Sequence, residues 1–86
     1  MDNKETAAAY TAAILGQLNA EIGASDHTPK SLARALEMDY GTFLRYTKGE
    51  RPMPMLVLWQ AVSALGVPQL VFAQRAQERF ETQAGL

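Results

Sequence analysis

The chain has 86 residues and 48% hydrophobic content, which is enough for one small domain (residues 1–86) with a single modest core. It has no cysteine, so no disulfide can form, and stability must come from helix packing, helped by oligomerisation; a reducing, cytoplasmic setting is expected. A net charge of −1 argues against a nucleic-acid partner when taken alone, no signal peptide is visible, and the longest apolar run, residues 53–59, is too short to span a bilayer, so no membrane partner is expected.

Asp2 and Glu5 have the spacing of a capping box. Beyond them Tyr10, Ile14, Leu18 and Ile22 recur every four residues, with Ala7 and Leu15 beside them. That period predicts one long amphipathic helix packed on the core, supported by the helix propensity of Ala7, Ala8, Ala9, Ala12 and Ala13. Gly23 is expected to end it, leaving residues 23–27 as a loop.

Thr28 then caps a second helix, with Pro29 in its first position and Leu32, Ala33 and Leu36 on its apolar face. After a tight turn, Asp39 caps a third helix with Phe43 and Tyr46 inward and Gly49 as its stop. Pro52 and Pro54 stiffen the next loop and forbid a continuous helix. Pro54 starts a fourth helix, which runs through Leu58, Val62 and Leu65 to Gly66. Pro68 opens a fifth from Gln69 to about Gln83, and residues 82–86 are expected to fray. No stretch alternates with period two for long enough to predict a sheet. The fold class is therefore all-α, with helices four and five over about 54–83.

The charge is unevenly spread. Residues 28–52 hold five basic groups against three acids, whereas the rest of the chain holds three against six. An acidic protein with a locally basic face can bind a phosphate backbone. Residues 28–48 supply that face with two short helices joined by a turn, the arrangement that carries a helix into the DNA major groove. The outer side of the third helix offers Tyr40, Thr42, Leu44 and Arg45 to base edges. Tyr40 could equally pack on the second helix, and Leu44 could be covered by the following loop. Thr28 and Lys30 at the start of the second helix, with Lys48 and Arg51 after the third, are expected phosphate contacts.

Other chemistry finds no support. His27 is the only histidine, and without cysteine it makes no metal site. No histidine–acid arrangement lies near a hydroxyl, and no glycine-rich loop follows a strand. No enzyme activity and no cofactor are expected. Residues 53–59 are more apolar than one helix face requires. Leu56 and Trp59 fall on a different side from Leu58, Val62 and Leu65. With Val71, Phe72 and Phe80 of the fifth helix, they are expected to form a homodimer interface; the alternative is that the fifth or the first helix covers them within the protomer.

Leu32-Ala33, Leu36, Phe43, Tyr46, Gly49 and Arg51, followed by Leu58, Val62 and Ala64-Leu65-Gly66-Val67, resemble the phage-repressor and Cro-like (XRE) helix-turn-helix family. The match covers about half of the chain. The resemblance implies a compact five-helix, lambda-repressor-like domain. It also implies a sequence-specific regulator of transcription in a bacterial or phage setting, a repressor binding double-stranded DNA as a homodimer and meeting RNA polymerase or another regulator. The alternative is an antitoxin-like or anti-regulator protein-interaction module that kept the fold and lost DNA binding. Three positions depart from the family pattern. Glu37 stands where the turn carries a left-handed glycine, which predicts a distorted or lengthened turn. Pro29 replaces a phosphate-bracing glutamine. Gly41 stands among the base contacts where a polar side chain is common, and would either let the helix approach the duplex closely or leave it with fewer contacts.

Overall fold

The Asp2 carboxylate accepts a hydrogen bond from the Glu5 backbone N–H at 2.8 Å and starts α1 (Asn3–Ala24). The computed structural model describes residues 1–85, so the fraying expected of Leu86 falls outside the described residues. Gly23 does not end α1. The helix runs on to Ala24, and Ser25 closes it by donating both its backbone N–H (3.1 Å) and its hydroxyl (2.8 Å) to the Ile22 carbonyl.

The second helix, α2 (Pro29–Ala35), starts on a reciprocal cap. Thr28 Oγ1 accepts from the Ser31 N–H at 3.1 Å, and Ser31 Oγ accepts from the Thr28 N–H at 2.9 Å. The third, α3 (Tyr40–Thr47), is capped by Asp39. The Pro52–Pro54 loop separates it from α4 (Met55–Ala64). The chain then bends by 110° into α5 (Gln69–Ala84), with Pro68 at its start. The expected fraying from Thr82 onward gives way to regular helix as far as Ala84, with Gly85 left-handed at φ 75°. Among the described residues there are five helices and no strand, and no single helix is long and apolar enough to cross a membrane.

The turn between α2 and α3 is neither distorted nor lengthened. Glu37 itself takes the left-handed conformation, φ 55°. Its N–H donates to the Arg34 carbonyl at 3.0 Å, and the Met38 N–H donates to the Ala33 carbonyl at 2.9 Å. Met38 then packs its side chain against the core. These bonds and that contact offset the roughly 1 kcal/mol cost of a non-glycine residue there.

The core draws on all five helices: Leu18 and Ile22 from α1, Leu32 and Ala33 from α2, Phe43 from α3, Ala61 and Val62 from α4, and Phe72 from α5. Phe43, Phe72, Leu18 and Leu32 are fully buried, each contributing about 1.5–3 kcal/mol of hydrophobic transfer. The most extensive packing is between α1 and α5. Three residues depart from expectation along α1 and α5. Tyr10 lies not in the core but at its margin, 41% exposed, stacked on Phe80 with ring centroids 4.0 Å apart. Phe80, expected at a subunit interface, is buried within the protomer. Phe72, expected there too, is 1% exposed. The i, i+4 spacing of Phe72, Ala76 and Phe80 is the signal that places them inward.

Candidate nucleic-acid interface

Ala33 is buried, and its small side chain leaves α2 and α3 closely packed across the turn. This unit leaves one side of α3 facing outward. Phe43 and Thr47 are buried, Tyr46 is half-buried, Arg45 is exposed, and Tyr40 is 41% exposed at the first position. Asn19 of α1 reaches the C-terminal end of α3 and holds its angle to the body of the protein.

The start of α3 is organised by Asp39. Its Oδ2 accepts from the Thr42 backbone N–H at 2.9 Å and from the Thr42 hydroxyl at 3.1 Å. Those two bonds, the backbone one foremost, hold the Asp39 carboxyl below its ordinary value. Thr42 is therefore a cap partner first. Its hydroxyl proton is committed, and what remains for a base is an acceptor. Gly41 also lies against the cap: a Cβ there would stand 3.2 Å from Asp39 Oδ2, so the carboxylate would have to give by a few tenths of an ångström. Leu44 is half-buried, which leaves only part of it for a base.

The expected phosphate contacts Thr28, Lys30, Lys48 and Arg51 are all exposed. The Thr28 hydroxyl is occupied by the Ser31 N–H, so it acts as a cap. Lys48 closes α3, its N–H on the Leu44 carbonyl at 3.0 Å. The loop behind it is tied back to the helix, because the Arg45 carbonyl accepts from the N–H groups of Glu50 (2.9 Å) and Arg51 (3.4 Å). The Arg45 and Arg51 backbones are thus held together.

Apart from the exposed Lys4 on α1, the basic side chains divide into two groups. Arg75 donates to both Glu21 oxygens at 3.0 and 2.9 Å, and Arg79 Nε donates to Gln17 Oε1 at 3.2 Å. Gln17 in turn donates to Glu21 at 2.7 Å. Arg75–Glu21 is the only ion pair among the described residues. Lys30, Arg34, Arg45, Lys48 and Arg51 therefore form no ion pair among the described residues, although the Arg45 charge helps to lower the Asp39 pKa. The arginines of α5 hold the fold, whereas the basic groups of residues 28–51 are free.

Of the residues expected at a subunit interface, Leu56 is 70% exposed. Val71 and Trp59 are half-buried, and Trp59 meets Phe72 edge-on with centroids 6.0 Å apart. Trp59 thus belongs partly to the protomer core. Leu70, which sequence reasoning passed over, is 70% exposed near the start of α5. A depression of about 570 Å³ lies between Leu56 and Trp59 on one side and Leu36 and Glu37 on the other. No protein-family model, curated protein or solved structure matches this chain.

Proposed function

We propose that this protein is a lambda-repressor-like, sequence-specific binder of double-stranded DNA that regulates transcription. In this reading α3 enters the major groove and α2 crosses the backbone. The observation that carries it is the set of exposed basic side chains on α3 and the loop after it, Arg45, Lys48 and Arg51, none of them in an ion pair among the described residues. Arg45 projects from the helix face opposite Phe43 and suits a guanine edge. Lys48 and Arg51 leave the helix where the chain would pass the phosphates. A second copy bound through Leu56 and its surroundings would read a second half-site about one helical turn, roughly 34 Å, away.

The test is titration of the protein against a duplex pool at several salt concentrations. The expected result is binding that weakens steeply as salt rises, because each neutralised phosphate releases counterions. Absence of salt-dependent binding to any duplex would remove this reading. The protein-interaction reading would then take its place, favoured by the exposed Leu56 and Leu70.

A further inference from the structure

A second feature adjoins the loop after α3, and of the residues that line it the DNA reading uses only Arg51. Ile14 and Leu15 of α1 face Met53, Met55 and Leu58 across a cleft of about 430 Å³. That volume falls in the range of small-molecule sites, about 300–1,000 Å³. Gly49, at φ 76°, brings bare backbone to one wall, 3.5 Å from Leu15 Cδ1 if a Cβ were present. The two methionines add a wall that reshapes readily around an apolar guest. Arg51 lies at the edge of this cleft and is its only ionisable residue. It has no ion-pair partner among the described residues.

We propose that this cleft binds an amphiphilic anion, a carboxylate carrying an apolar hydrocarbon tail. Arg51 takes the carboxylate through charge-assisted hydrogen bonds, and the cleft between α1 and α4 takes the tail. The charge of the lining selects the head group: one free guanidinium and no acid attract an anion and repel a cation. Occupancy has a consequence that rests on the DNA reading. Arg51 engaged by a carboxylate is withdrawn from the phosphates, so the ligand lowers DNA affinity and acts as an effector.

The probe is decanoate below its micelle concentration, with decan-1-ol and decyltrimethylammonium as uncharged and cationic counterparts. Binding is followed without DNA through the methyl resonances of Met53 and Met55. Saturable one-to-one shifts with decanoate, and weaker ones with the cation, are expected. Arg51→Gln should weaken decanoate roughly tenfold, the loss of one charged hydrogen-bonding partner, and leave decan-1-ol unchanged. Met55 is 73% exposed, so Met55→Glu should fold normally and repel decanoate. No saturable shift, equal binding of the cation, or a dimer that closes the cleft at the concentration used would each overturn the proposal. Decanoate binding by a protein that binds no duplex would leave the site standing and remove only the DNA reading and the effector role that rests on it.

Discussion

Asn19 of α1 donates from Nδ2 to the carbonyl of Thr47 at 3.0 Å, across 28 residues of chain, and the same group reaches the Leu15 carbonyl at 2.9 Å. One amide thus joins the longest helix to the last residue of α3. Carbonyls at a helix end lack partners within the helix, and this bond satisfies one of them. Asn19→Ala should cost about 1 kcal/mol in denaturant unfolding. Asn19→Asp should cost more, because it turns a carboxylate toward two carbonyl oxygens. Equal stability of the two variants would mean that Asn19 is not a donor to α3.

Glu21 predicts a pH dependence. Burial pushes its pKa up, but the hydrogen bonds from Arg75 and Gln17, with the Arg75 charge, outweigh burial and leave it below the ordinary value. A lowered folded pKa stabilises the protein fully above the unfolded carboxylate range. That contribution is lost as pH falls through the folded value. Thermal stability should therefore fall below about pH 4.5. Glu21→Gln should flatten that slope and lower stability at pH 7 by about 1 kcal/mol, a modest figure because the Arg75 side chain is half exposed and screened. An unchanged slope in Glu21→Gln would assign the acid sensitivity to other carboxylates, Asp39 first among them.

Glu37 carries backbone strain that glycine would not. Glu37→Gly should raise stability by up to about 0.5 kcal/mol, the roughly 1 kcal/mol of left-handed strain relieved less the extra chain entropy of about 0.5–1 kcal/mol that glycine loses on folding. For a domain of this size that is a rise of up to about 2–4 °C in Tm. Glu37→Val, β-branched at positive φ, should lower it. Scanning calorimetry distinguishes the two directions, and a fall in Tm for Glu37→Gly would mean that the side chain itself has a stabilising role.

Arg45, Lys48 and Arg51 divide the proposed DNA contact. Arg45→Ala should cost about 1–3 kcal/mol on the preferred site and flatten preference at one base pair. Lys48→Ala and Arg51→Ala should weaken all duplexes alike and reduce the salt slope by about one. Competition between the preferred and a scrambled duplex measures both. If Arg45→Ala weakened the two equally, the base-reading role would belong to another residue of α3.

Leu56 provides a test of self-association that leaves the core intact, since it is 70% exposed and Trp59 is not. Leu56→Lys should dissociate a dimer in sedimentation while helical circular dichroism stays unchanged. Trp59→Ala would remove the edge contact to Phe72 as well, so it should lose stability along with association. A wild-type protein that sediments as a monomer at high concentration would remove the interface.

The sequence alone determined the elements, because their signals lie within a few residues of one another. Thr28 and Asp39 each accept from an N–H three residues on, Pro54 and Pro68 each stand just before a helix, and Gly49 and Gly66 supply left-handed stops. The position requiring a left-handed turn was legible too, although how Glu37 meets it was not. Only the tertiary structure decided where side chains remote in sequence go. Gln17 and Glu21 fall among apolar neighbours on α1, and their partners Arg79 and Arg75 lie 62 and 54 residues away, so nothing local could mark them as buried. The same holds for Asn19 and Thr47. For Phe72 the apolar stripe shows that a face is covered and not what covers it; packing of α5 against α1 and α4 covers it within the protomer. At the candidate interface the residue types were legible in the chain. Which arginines were free depended on where α5 placed Arg75 and Arg79, because a charge is available to a partner only when the fold has not already paired it.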